Sequence, residues 1–277
     1  MKNSLVGFCY FFASLIAFAQ SQKQHPKGHF VDSLNRYYQQ ASLPLYVFVS
    51  TSPDGELIPL SPEDNDKKAN TLKPIYLDGH GKHVLRHFDA LHSHADNFII
   101  YADGIAPVSK VSFSMPESSL KHTQGNDVYY GKNLSVFLSA QDEMSGVKEL
   151  YYSVNGSDYQ PYTGVIRFDS EGEQTLRFYA VDNVGNAEKP QTFRFTVDTD
   201  APQTYHNFIG INSQNIISLS TKIYLTMEDN FSGVKKTFYY FDNEKPKNYV
   251  PETNIDFSYL KDGEHTLYYY SIDEVNN

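Results

Sequence analysis

Two blocks of sequence occur twice in this chain of 277 residues, and they constrain the fold more than any other feature. DEMSGV at 142–147 returns as DNFSGV at 229–234, and GEQTL at 172–176 returns as GEHTL at 263–267. The second block continues without a gap as RFYAVDNVGN in one copy and YYYSIDEVNN in the other. The interval between copies is longer for the second block, which places an insertion within KPKNYVPETN. A weaker third copy lies upstream, where GKHVL at 81–85 matches GEQTL and FIIYADGIAP at 98–107 matches FRFTVDTDAP at 193–202. The repeating unit is therefore ~85–95 residues, the size of a two-sheet sandwich domain.

Within each copy the apolar residues alternate. Val136, Leu138 and Ala140 share one face, and Ile223, Leu225 and Met227 take those places in the next copy. Leu176, Phe178 and Ala180 correspond to Leu267, Tyr269 and Ser271, while Phe193, Phe195 and Val197 oppose Arg194 and Thr196. A period of two means strands with one buried face. Asn155-Gly156, Ser170-Glu171-Gly172 and Val184-Gly185-Asn186 supply the turns between them. Aromatic residues reach 15% without a single Trp, and Tyr and Phe favour pleated, half-buried surfaces. Residues 30–41, HFVDSLNRYYQQ, are expected to form one short helix ahead of the first copy.

The N-terminus has a charged Lys2, an apolar run from Leu5 to Ala19, and the small-residue signal Ala17-Phe18-Ala19 before polar Gln20. This reads as a secretory signal peptide cleaved after Ala19, too short for a membrane span. Export to the periplasm, cell surface or extracellular space is expected, with no transmembrane span in the mature chain. Cleavage removes Cys9, the single cysteine, so neither disulfides nor a Cys-based zinc site is available. The formal net charge of −10 argues against a nucleic-acid partner, which needs a basic surface.

The series DxxSGV, a Tyr-Tyr strand ending in Asn-Gly, GExTL, DxxGN and VDTDAP resembles the bacterial Ig-like modules strung along secreted and surface proteins. The resemblance covers 103–277 well and 43–102 poorly, and Asn276 stands where the pattern has Gly. It implies an all-β chain of tandem Ig-like β-sandwich modules after a cleaved signal peptide. The expected division is 1–19 signal peptide, 20–102 a divergent or partial repeat, 103–199 a full sandwich, and 200–277 a sandwich incomplete at its C-terminus. Asn277 aligns with Asn186, before the last strand of the preceding copy, so the sequence is expected to be a fragment. Modules of this kind serve as stalks, adhesion segments or accessory parts of secreted enzymes, and imply no active site.

In such a sandwich the B–C and F–G loops gather at one end. DxxSGV and DxxGN would be those loops, so Asp103, Asp142 and Asp182 are expected to meet at the start of one module. Asp198, Asp200, Asp229 and Asp273 are expected to meet at the start of the next. Carboxylates in such numbers are candidate calcium ligands, since calcium takes six to eight oxygens. The plainer reading has each Asp capping its own turn. Calcium is the one cofactor these residues bring forward.

His80, His83, His87, His92 and His94 form a second candidate set, for a transition metal, although their spacing matches no defined motif. The pairs and runs Tyr151-Tyr152, Tyr239-Tyr240 and Tyr268–Tyr270 place alternate rings outward, where aromatic faces stack on sugars or anchor proteins. A protein or glycan at the cell surface is the expected partner. Catalysis is not expected from the residues present, because no nucleophile elbow, phosphate loop or zinc-protease motif occurs. Three functional readings follow. The first is a non-catalytic surface stalk, adhesion or presentation segment. The second is an accessory region of a larger secreted hydrolase, its catalytic domain beyond Asn277. The third is a periplasmic metal-binding protein built on His80–His94.

Overall fold

The computed structural model describes residues 25–49, 58–60, 74–89, 94–211 and 216–277. The expected signal peptide and His92 lie outside the described residues. Among those described, every regular element is a strand, and no helix is long and apolar enough to cross a membrane.

The first unit contains β1 (His29–Val31), β2 (Tyr37–Gln40), β3 (Val47–Val49), β4 (Ile58–Leu60), β5 (Gly81–Asp89) and β6 (His94–Asp103). Four of these form a sheet in the order β1-β2-β6-β5, and β3 pairs with β4. The helix expected over 30–41 is not formed. Asp32 Oδ1 accepts the N–H groups of Leu34 and Arg36, and Asn35 takes φ 57, which turns the chain back on itself. β2 then runs parallel to β6, from Tyr37 opposite Ile100 to Gln40 opposite Asp103. Tyr38, Gln39 and Gln40 become buried there, so long-range pairing overrides the local pattern. Leu45, Leu77, Ile100 and Ala102 are the centre of this unit's core.

The second unit adds β7 (Val108–Ser114), β8 (Lys121–Gln124), β9 (Asp127–Tyr130), β10 (Leu134–Gln141), β11 (Val147–Val154), β12 (Gln160–Pro161), β13 (Ile166–Phe168), β14 (Gly172–Asp182) and β15 (Gln191–Val197). One sheet is β13-β10-β7, and the other is β12-β11-β14-β15-β9-β8. The two face each other across one core. Leu134, Val136 and Leu138 from the first meet Leu176, Phe178, Phe195 and Val197 from the second. All but Leu134 are residues selected by alternation, and burying each side chain contributes roughly 1.5–3 kcal/mol. The first unit's order β1-β2-β6-β5 reappears here as β8-β9-β15-β14, again with one parallel pair, β9 against β15.

The third unit contains β16 (Gln203–Ile209), β17 (Lys222–Glu228), β18 (Val234–Phe241), β19 (Lys247–Tyr249) and β20 (Leu267–Asp273). β16 pairs with β17, and β19-β18-β20 form the second sheet. Ile223, Leu225, Phe241, Tyr249, Ile255 and Phe257 make its core. β14 carries β15 on one edge, whereas β20 pairs only with β18 among the described residues.

Candidate functional site

The loops at the two unit boundaries carry the candidate site, and Asp142, Asp182, Asp229 and Asp273 each organise their own turn. Asp142 Oδ2 accepts the N–H groups of Met144 (3.1 Å) and Gly146 (2.8 Å), closing the loop between β10 and β11. Gly146 takes φ +82 to permit it. Asp182, at the end of β14, accepts the N–H groups of Val184 (3.0 Å) and Asn186 (2.7 Å). Asp103, the last residue of β6, accepts the N–H of Ser145 at 3.0 Å. Asn186 joins the pieces: its Nδ2 donates to Asp182 Oδ2 (2.6 Å) and to the Asp103 carbonyl (3.2 Å).

The second boundary repeats this network. Asp229 accepts from Phe231 (3.1 Å) and Gly233 (2.7 Å), and Asp273 from Val275 (3.0 Å) and Asn277 (2.7 Å). Asp198 accepts from Ser232 at 2.9 Å. Asn277 Nδ2 donates to Asp273 Oδ2 (2.8 Å) and the Asp198 carbonyl (2.9 Å).

The turns bring the carboxylates together. Asp103, Asp142 and Asp182 each offer an oxygen within 4.8 Å of the other two, and so do Asp198, Asp229 and Asp273. Asp142, Asp182, Asp229 and Asp273 thus cap their own turns while converging with Asp103 or Asp198. Asp200, expected in the second group, is not one of the converging three. It lines an adjoining cavity of about 220 Å³ with Glu171, Asp198, Glu228 and Asp229.

Asp103, Asp182 and Asp273 are fully buried and Asp198 nearly so. Burial pushes the Asp182 carboxyl up to about 6, and the Asp103 and Asp142 charges add to this against the Asn186 hydrogen bonds. Burial also raises Asp273, with the Asp198 charge acting in the same direction. Clustered buried carboxylates need a proton or a cation to offset their repulsion. Three carboxylates supply part of the oxygen shell that calcium takes, so the residues present fit a hard divalent cation.

Of the candidate histidines, His80 and His83 have described side chains, and neither belongs to a metal-ligating group of three. His80 lies 3.4 Å from Asp103 Oδ1 through its Nδ1, and His83 Nε2 bonds the Gly79 carbonyl at 3.1 Å. The register sets His87 opposite Asp96 and His94 opposite Asp89, with their side chains outside the described residues. Among the described residues, the groups of three or more metal-ligating side chains are the two aspartate sets.

The tyrosines divide. Tyr151 and Tyr179 stack at 5.2 Å and are buried, covered by the His25 ring and by Tyr159. The corresponding face of the third unit is open. Phe238 stacks on Tyr270 and Tyr240 on Tyr268, with Tyr268 46% and Tyr270 42% exposed. A larger hollow of about 820 Å³ on that unit is bordered by Phe208, Ile223, Phe241, Phe257 and Leu267. Sequence reading missed the bridging roles of Asn186 and Asn277, although the Asn of DxxGN was in view. It also missed Ser145 and Ser232, whose backbone amides tie the loop to the preceding unit. No family model and no curated protein matches the chain.

Proposed function

We propose that the chain is a non-catalytic exported protein whose Ig-like β-sandwich modules hold a partner or domain at a set distance from the cell surface. The observation that carries this reading is the joint. The same aspartate–asparagine network recurs at both unit boundaries and bonds the last residue of one unit to two loops of the next. A joint built from several buried hydrogen bonds resists bending in a way that a free linker does not. Pro107 and Pro202, just past each joint, further restrict the backbone there.

Force spectroscopy of the mature chain tests the modular part of this reading. Discrete unfolding events, each releasing the length of one module, are expected, and a single event for the whole chain would sink it. Surface labelling and protease shaving of intact cells test the location, with retention inside the cell as the contrary result. The exposed Tyr268 and Tyr270, stacked on half-buried Tyr240 and Phe238, favour a second reading, an accessory region that holds substrate for a secreted hydrolase. Glycan binding that is lost on replacing Tyr268 and Tyr270 with Ser would favour that reading over the first.

A further inference from the structure

The second and third units differ along one edge. In the second, β14 pairs with β15 from Gly172 opposite Val197 to Phe178 opposite Gln191, and Leu176 and Phe178 are fully buried. Their counterparts on β20, Leu267 and Tyr269, are only half-buried. β20 pairs with β18 alone among the described residues. The Asp242 N–H donates to the Thr266 carbonyl at 2.9 Å, on the β18 side. Backbone groups alternate in direction along a strand, so those of His265, Leu267 and Tyr269 turn to the other edge.

The hollow of about 820 Å³ on the third unit lies in the place that β15 fills in the second. There the Phe193 ring lies 4.8 Å from Phe113, and the Phe195 ring 5.0 Å from Phe168. Phe113 pairs with Val136 on β10, and Phe208 pairs with the equivalent Ile223 on β17. Phe168 lies two residues past Ile166, the partner of Val136, and Phe257 lies two past Ile255, whose N–H donates to the Ile223 carbonyl. Phe208, Phe257 and Leu267 therefore stand for Phe113, Phe168 and Leu176, and all three border the hollow. Leu219, which also borders it, is 81% exposed. An open strand edge beside uncovered core residues is a template for a further strand.

We propose that the third unit takes up a β-strand of a partner polypeptide, antiparallel to β20, in the place that β15 holds in the second unit. The strand carries bulky apolar side chains at alternate positions, as Phe193, Phe195 and Val197 do, and fills the hollow with them. Its outward face carries a cation. In the second unit Arg194 lies diagonal to Glu173, and Glu264 takes the place of Glu173, with Asp262 beside it against Lys261 on the same rim. Hydrogen bonds to the backbone of His265, Leu267 and Tyr269 hold the strand, and its alternate side chains select it. The inference deepens the proposed function by naming how a partner is held, and rests on that reading only in taking the two units to share one fold.

The probe is a synthetic peptide of residues 187–198, AEKPQTFRFTVD, titrated into the isotope-labelled mature chain and followed by NMR. Saturable shifts gathered in β16, β20 and residues 257–267 are expected, with a rise in Tm. The peptide carrying Phe193→Ser and Phe195→Ser should bind at least about tenfold more weakly. A peptide N-methylated at Phe193 keeps every side chain but loses an edge hydrogen bond, and should bind about fivefold more weakly or worse. A chain with residues 187–198 fused after Asn277 should melt higher than the parent and no longer take the free peptide. Absence of shifts at millimolar peptide in a cooperatively folded chain would overturn the proposal. So would equal binding of the N-methylated peptide, which would mean an apolar pocket and not a strand site. A dimer that protects the β20 amides from exchange and that the peptide does not dissociate would also overturn it, because a second copy would then be the occupant. Force spectroscopy separates the readings, because discrete unfolding events in a chain that ignores the peptide would remove the strand site and leave the modules standing.

Discussion

Gln40 Nε2 donates a hydrogen bond of 2.9 Å to Asn186 Oδ1, joining two different units at a buried position. At the second joint the corresponding position in the preceding unit is Gly131, and Asn277 Oδ1 is buried without a partner. Gln40→Ala should therefore place the first joint in the condition that the second already has. The expected cost is about 1–3 kcal/mol, that of one orphaned buried acceptor, read by urea denaturation. A change indistinguishable from zero would mean that water replaces the glutamine.

Gly185 and Asn276 occupy equivalent positions, both with positive φ, at +92° and 71°. The departure from Gly at Asn276 has a structural reason. Segment 25–28 lies directly over Gly185, where a Cβ would overlap the Pro26 carbonyl and come within 2.9 Å of Lys27 Cα. Asn276 has room, and its side chain accepts from Lys235 Nζ at 3.2 Å. Gly185→Ala should lift the segment, break the Gly28 N–H bond to Val184 O, and expose residues 25–28 to protease. Asn276→Gly should change stability by no more than about 0.5 kcal/mol, as surface substitutions usually do. Equal protease resistance in Gly185→Ala and the parent would contradict this account.

The raised Asp182 carboxyl sets the sign of a pH effect. Its ordinary value is 3.8 and its folded value about 6, so the folded state holds the proton more tightly. The stability it contributes is complete below about 4 and is lost as the pH rises through about 6, amounting to about 3 kcal/mol at most. Asp242 and Glu244 are held below their ordinary values by His265 and Lys247 and act in the opposite sense, weakly because both are exposed. A carbon-detected carboxyl titration should find Asp182 with a midpoint near 6. A midpoint at or below the ordinary value would refute the burial argument.

Phe178 and Phe137 separate core from surface within one unit. Phe178 is 1% exposed between the two sheets, and Phe137, on β10, is 42% exposed. Phe178→Ala should cost about 3–5 kcal/mol and Phe137→Ala about 1 kcal/mol or less, compared by thermal unfolding. Similar costs would show that Phe137 faces a partner surface.

Much of this architecture is legible along the chain, because what encodes it is local. Alternation selected Val136, Leu138, Leu176 and Phe178 as inward residues, since a strand turns successive side chains to opposite faces. The DxxSGV and DxxGN loops could be placed together because each Asp closes its own turn within four residues. Their convergence with Asp103 and Asp198 followed from the order of the repeats. Where a neighbour distant in sequence decides, the reading fails. Residues 30–41 carry no sign of β6, the strand that holds β2 extended. Alternation alone leaves Tyr179 on a solvated face, and it is the His25 ring and Tyr159 that bury it.

The sequence by itself determined that the chain repeats a β unit and that carboxylates mark the boundaries between copies. Both facts reside in spacing, which a polypeptide carries whether or not it has folded. The tertiary structure alone decided that Asn186 and Asn277 bridge the units and that Asp200 lines a cavity instead of joining the triad. Those outcomes depend on distances of 3–5 Å between residues far apart in the chain. Burial and charge take their values only once such distances exist.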